Sequence, residues 1–251
     1  MEILSTGIPV LDEALGGGLL EDSNLLIVHD VYSKGWTLAF EILKNRIELG
    51  DFGVIIDSVL PISSLAMELE AVNFDLMAEG EAGNVAVIDI FSSFYGIKYP
   101  LDFVYTDRTL DTGTFLPKYG KLYRKLLFKY MKDRRPIGVD LTIDGLAFLF
   151  GTGNFISTFQ KLMAEKEKAR ITEKRKRPIN IFLLNKGRAS EELVAWMSLY
   201  SQYVIDFSSP NAPLEETMVV RKSPLPEFNP MKSHYRFRLV KGKVELSPLS
   251  P

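Results

Sequence analysis

Ser5-Thr6-Gly7-Ile8-Pro9-Val10-Leu11-Asp12-Glu13-Ala14-Leu15-Gly16-Gly17-Gly18, followed by the apolar run Leu25-Leu26-Ile27-Val28, is the stretch that decides the fold. Thr6 offers a hydroxyl suited to a helix N-cap, and Pro9 falls in the first turn, where a missing N–H costs little. Ile8, Leu11 and Leu15 recur at helical spacing, and three consecutive glycines end the element. Four apolar residues without a polar break read as a strand buried on both faces. The loop after that strand is His29-Asp30-Val31-Tyr32-Ser33-Lys34-Gly35-Trp36-Thr37, which holds a single glycine.

Outward from this opening, strands and helices alternate. A helix over 37–49 sets Phe40, Leu43 and Ile47 on one face and closes at Gly50, and a strand over 53–57 and a helix over 62–71 follow. Val85-Ala86-Val87-Ile88-Asp89 is a third strand, and a turn-rich connection runs from Phe91 to Thr114. A helix over 118–132, a strand over 137–143 ending at Asp144, a helix over 155–170, a strand over 179–184, a helix over 190–201 and a strand over 203–207 complete the series. Strands this apolar, separated by helices, indicate a mostly parallel sheet covered on both faces. Thr217–Val220 and Tyr235–Val240 alternate polar and apolar residues around a Pro-rich loop, the pattern of an antiparallel hairpin at the sheet edge. With no internal repeat and no low-complexity linker, residues 1–251 read as a single α/β domain.

Composition narrows the function classes. Hydrophobic residues make up 46% and charged residues 25% of the 251, which supports a sizeable core and argues against global disorder. A net charge of −2 does not suit a protein that binds nucleic acid over its whole surface. Without cysteine there is no disulfide framework, thiolate metal site or thiol nucleophile. Met1 runs straight into the opening motif with no charged-then-apolar leader, and no window approaches ~18 consecutive apolar residues. The expectation is a cytoplasmic protein without a membrane span.

The opening Ser-Thr-Gly-Ile-Pro-x-Leu-Asp-x-x-Leu-Gly-Gly-Gly resembles the start of KaiC-like and RadA-like ATPases of the RecA superfamily. The likeness continues through Asn73-Phe74-Asp75-Leu76, Val87-Ile88-Asp89, Thr142-Ile143-Asp144-Gly145-Leu146 and Val219-Val220-Arg221-Lys222, in the family's order. The resemblance implies a RecA-like P-loop core with a C-terminal antiparallel hairpin. It also implies a Gly-x-x-x-x-Gly-Lys-Ser/Thr loop after the first strand, whose backbone N–H groups, Lys and hydroxyl hold phosphates and Mg²⁺. Here His29 and Lys34 stand at the two glycines of that loop, Gly35 at its Lys and Trp36 at its hydroxyl. The bulk of Tyr32 and Trp36 is expected to fill phosphate space. The acid that the family supplies after the second strand is also missing: Asp57-Ser58-Val59-Leu60-Pro61 places Asp57 two to three positions early, a displacement of ~7–10 Å along a strand. Asp144 matches the acidic end of the metal-binding strand, but one carboxylate without a hydroxyl partner is a poor Mg²⁺ site. Phosphoryl transfer needs all these parts together, so an ATPase is not expected.

Several smaller signals carry alternatives. His29 and Asp30 sit where doubly wound folds place ligands, and they read either as an acid–base pair or as a polar replacement loop, the second preferred. Asp89 and Asp144 read as partners for a cation or, preferably, as remnants of the ancestral sheet edge. The run Lys166, Lys168, Arg170, Lys174, Arg175, Lys176 and Arg177 is interrupted by Glu165, Glu167 and Glu173, which favours a solvated helix end over a nucleic-acid contact. Arg221, Lys222 and Arg236 are positions that the resemblance places toward a neighbouring subunit's nucleotide; an acidic partner or water would face them now. Tyr95, Tyr99, Phe103 and Tyr105, with Phe94, form either a recognition loop or a cover for an apolar sheet edge.

The primary expectation is a non-catalytic module that binds a protein or peptide, a second copy of itself, or an active homologue, with no cofactor and no metal. The alternative keeps a ligand: His29, Asp30, Ser33, Lys34, Gly35 and Thr37, with Asp144, as a remnant site for a nucleotide or other anion in a regulatory sensor. Nucleic-acid binding is the weaker third.

Overall fold

The structure is a computed structural model, and it describes residues 1–211 and 215–249. Ile3–Leu4 (β1) and Leu19–Leu20 (β2) form a small antiparallel pair that brackets helix α1, Pro9–Leu15. Thr6 is not the cap of α1. That position falls to Ile8, without a side-chain bond, while the Thr6 hydroxyl donates to Asp12 Oδ1 at 2.7 Å. Gly16, Gly17 and Gly18 take φ of 87°, 130° and 126°, and a Cβ at Gly18 would lie 2.5 Å from the Leu4 carbonyl oxygen. Glycine is required there both by the backbone and by the close approach of β1.

The main body follows as β3 (Asn24–His29), α2 (Thr37–Glu48), β4 (Phe52–Asp57), α3 (Ile62–Leu69), α4 (Leu76–Glu81), β5 (Val85–Asp89), α5 (Ile90–Tyr95) and β6 (Val104–Tyr105). It continues with α6 (Phe115–Tyr130), β7 (Pro136–Asp140), α7 (Ile143–Phe150), α8 (Thr152–Thr172), β8 (Ile179–Asn185), α9 (Glu191–Tyr200) and β9 (Tyr203–Asn211). Three antiparallel strands close the described chain: β10 (Glu215–Lys222), β11 (His234–Val240) and β12 (Lys243–Pro248). The sheet order is β12-β11-β10-β9-β3-β8-β7-β4-β5-β6, parallel from β9 to β6 and antiparallel from β9 out to β12. The expected C-terminal hairpin is present at this edge, extended by β12.

Alternation along each parallel strand supplies two cores. Leu25 and Ile27 of β3 pack on the face covered by α1 to α4, with Leu11, Phe40 and Leu65. Leu26 and Val28 pack on the other face with Phe115, Phe159 and Leu193 from α6, α8 and α9. This two-sided burial is why the strands read as continuous apolar runs. Among the described residues, no helix is long and apolar enough to cross a membrane.

Two sequence expectations shift here. The strand read over 137–143 stops at Asp140, and Asp144 lies in the first turn of α7. Leu141-Thr142-Ile143 has strand composition, yet Thr142 leaves the pleat and Ile143 turns into the second core as the first residue of the helix. In addition, β4 separates β5 from β7, so Asp89 and Asp144 do not sit at neighbouring strand ends.

Candidate functional site

The carboxyl ends of β3, β4, β7 and β8 open into a cleft of about 1260 Å³. Its lining includes His29, Tyr32, Lys34, Trp36, Phe148 and Arg188. The loop between β3 and α2 forms one wall, and its donors are taken up within the protein. The backbone N–H of Lys34 donates to Glu216 Oε2 at 3.1 Å, and that of Gly35 donates to Glu216 Oε1 at 3.1 Å. The Ser33 hydroxyl donates to the same Oε1 and accepts from the Gly35 N–H at 2.8 Å. A carboxylate from β10 therefore sits where this loop gathers its donors. Burial raises the Glu216 pKa, and the three donors oppose that shift.

The start of α2 is closed to an anion as well. Thr37, Leu38 and Ala39 donate their N–H groups to the carbonyls of Lys34, Gly35 and Trp36 at 2.9, 3.2 and 3.2 Å. A helix N-terminus binds anions through free N–H groups, and these three are spent within the turn. The Thr37 hydroxyl donates to the Lys34 carbonyl at 2.7 Å and is fully buried. Gly35 lies flat against Phe207: a Cβ there would come within 2.3 Å of the ring.

Tyr32 and Trp36 do not fill the site as expected. Tyr32 is 77% exposed, and Trp36 turns toward the core, edge-on to Phe40 at 5.9 Å. The cleft stays open, and Glu216 supplies the blocking group. Nothing near residue 29–37 in sequence signals it, because the partner lies about 180 positions away.

The other candidate residues are each held by protein partners. His29 is buried at the end of β3, with Nδ1 3.0 Å from the Asp30 carbonyl oxygen, and burial holds its pKa below the usual value. Asp30 accepts from the Tyr32 N–H at 3.1 Å, and from the N–H (2.7 Å) and hydroxyl of Ser209. Burial would raise its pKa, but these bonds and the Lys186 charge outweigh it and hold the carboxylate low. Asp144 is buried, accepting from the Asn185 N–H at 3.0 Å and pairing with Arg188 at 2.6 Å. Asp57 ends β4 by accepting from the N–H groups of Val59 and Leu60, both at 3.0 Å. Asp89 caps α5 through the Ser92 N–H at 2.7 Å. Among the described residues, no group of three or more His, Asp or Glu could hold a metal ion.

The candidate partner residues divide. Tyr95 is exposed at the end of α5, Tyr99 and Tyr105 are half-buried against the two cores, and Phe103 is 2% exposed against Gly80. Phe103 is thus core and no part of a recognition loop, in keeping with the alternative that it covers apolar surface. Arg221 pairs with Asp206 at 3.1 Å, and Lys222 donates to the carbonyls of Ser198 and Ser201 behind α9. Arg236 sits on β11 opposite Thr217 and Ser247. In the basic run, Lys166 and Arg170 pair with Asp22, Lys168 with Glu165, and Arg175 with Glu173.

No protein-family model matches the chain, and no curated protein matches it in sequence. Solved structures do. The KaiC-like protein PH0186 from the hyperthermophilic archaeon Pyrococcus horikoshii OT3 superposes with a TM-score of 0.69 at 17% identity, over 98% of this chain and 99% of that one. The fold is KaiC-like. A second match is stronger in shape: the uncharacterised protein PH0321 from Pyrococcus horikoshii, in complex with an unknown peptide. It has a TM-score of 0.82 at 19% identity and covers 98% of this chain and 100% of that one. Within this KaiC-like fold, the open cleft lies at the carboxyl ends of the parallel strands, where open α/β sheets place ligands.

Proposed function

We propose that the chain is a non-catalytic RecA-type module that binds a peptide segment of another protein in the cleft above β3, β7 and β8. The observation that carries the first half is Glu216, whose carboxylate takes the N–H donors of Lys34 and Gly35 and the Ser33 hydroxyl. Phosphoryl transfer depends on a Lys, a metal-bound hydroxyl and an oriented water together. This loop offers Gly35 and Trp36 in place of the first two, and Asp57 is buried with its Oδ1 on its own turn. The sensor alternative requires Glu216 to leave before any anion can enter.

The second half rests on the cleft's rim. Val31, Tyr32, Val59 and Phe148 are exposed there at 59, 77, 36 and 87%, while Arg188, held by Asp144, provides a polar handle within. Exposed aromatic and aliphatic groups around a cleft are the usual anchors for peptide side chains. That PH0321 was crystallised with a peptide supports the same ligand class. Selection from a displayed library of random peptides tests this directly. Apolar-anchored sequences should be enriched, and Phe148→Glu should weaken the selected peptides by about tenfold or more. Failure to enrich any sequence, or binding indifferent to Phe148→Glu, would contradict the reading.

A further inference from the structure

On the face of the sheet that they cover, α6, α7 and α8 leave a separate cavity of about 600 Å³ over β7 and β8. Aromatic rings form part of its wall. Phe115 stacks on Tyr119 at 5.4 Å and meets Phe150 edge-on at 4.9 Å, while Phe159 meets Phe182 edge-on at 5.3 Å. Asp140, the last residue of β7, lines this cavity. It is 8% exposed, and its Oδ1 is buried without a hydrogen-bond partner.

Sign of charge decides what would fit. Five cations also line the cavity: Lys166 and Arg175 are compensated by Asp22 at 3.3 Å and Glu173 at 2.5 Å, Arg177 donates to the carbonyls of Ala169, Arg170 and Glu173, and Arg124 and Lys161 lie exposed to water. Arg175 Nη1 is buried without a hydrogen bond, so an anion is the competing ligand. The charges that act on Asp140 are those of Asp144 and Asp57, both acidic, and neither compensates it. Asp140 thus leaves the buried negative charge unmatched, and the surrounding ring faces attract cations. Burial of such a carboxylate is tolerated when a counter-ion or a hydrogen-bond donor arrives.

We infer that this cavity is a binding site for an apolar or aromatic primary amine, its ammonium on the Asp140 carboxylate and its apolar body among Phe115, Tyr119, Phe150 and Phe159. A drug-sized molecule suits the volume. The site has no lining residue in common with the cleft at the carboxyl ends of the strands, and its failure would leave the peptide reading untouched.

Calorimetric titration with three near-isosteric probes, phenylbutylamine, phenylbutanol and phenylpentanoate, tests this at about pH 8, where the amine is charged. The amine should bind at least about tenfold more tightly than either of the others, and Asp140→Asn should erase that preference. Thr158→Trp, which fills the cavity from the α8 wall, should abolish binding of the amine while the protein stays folded. Absence of amine binding to the natural protein would overturn the site. So would a preference for phenylpentanoate, or an amine preference that survives Asp140→Asn or Thr158→Trp.

Discussion

Replacement of Glu216 by Ala is expected to lower the unfolding free energy by about 2–4 kcal/mol, because hydrogen bonds to a charged group contribute ~1.5–3 kcal/mol each and three donors converge on this one. The sum is discounted because Lys34 is exposed, so water reaches its freed amide. Urea denaturation of the two proteins measures the difference. Inorganic phosphate should stabilise the variant more than the natural chain, since only the variant presents the amides of Lys34 and Gly35 to an outside anion, and a ligand bound only by the folded state adds to its stability. A variant as stable as the natural protein would mean that Glu216 does not hold the loop.

The second large effect has the opposite sign. Asp140→Asn is expected to stabilise the protein by about 2–4 kcal/mol at pH 8 and to leave it nearly unchanged at pH 4, as a pKa shift of one unit is worth ~1.4 kcal/mol. Burial, opposed by the Thr142 N–H and reinforced by the charges of Asp144 and Asp57, raises the Asp140 pKa from 3.8 to about 7. Between those values the folded chain holds a proton that the unfolded chain has released. Stability from this group is therefore present at low pH and lost as pH rises toward 7. Burial likewise raises Asp57 to about 7, so the natural protein should weaken across the same window. His29 pulls the other way: its depressed pKa costs stability as pH falls below 6.5. The difference between natural and variant proteins cancels His29, whereas Asp57, whose charge acts on Asp140, cancels only in part. Urea midpoints across this range that run parallel for the two proteins would show that Asp140 titrates normally.

The parts of the fold that could be read from sequence are those with local causes. Gly16-Gly17-Gly18 must be glycine because the chain takes positive φ beside β1, and the apolar runs of β3 and β8 are continuous because both faces are covered. The basic run at the end of α8 was legible as charge-compensated from its interleaved glutamates, although Asp22, which takes two of the cations, comes from a distant turn. Boundaries set by tertiary contact were not legible. Leu141-Thr142-Ile143 has strand composition, but the Leu141 N–H makes the final bond to Ile56 and the chain then turns into α7.

The site followed the same division. That Lys34-Gly35-Trp36 departs from the Gly-Lys-Ser/Thr pattern is visible in the sequence, whereas the bulk of Tyr32 and Trp36 does not tell where those side chains point. Only the antiparallel register of β9 and β10 brings Glu216 and Ser209 to the loop, and no local pattern encodes that register. Phe103 is undecided in the sequence for a related reason: an aromatic beside Pro100 and Gly96 has loop surroundings, yet it fills the space over Gly80.

The most direct measurement is calorimetric titration of Mg-ATP, ADP and inorganic phosphate into the natural protein. With Glu216 seated on the loop and the first amides of α2 bonded within their own turn, no saturable heat is expected from any of the three. A sub-millimolar dissociation constant for Mg-ATP, lost on Lys34→Ala, would show that the loop still holds a nucleotide and would contradict the non-catalytic reading.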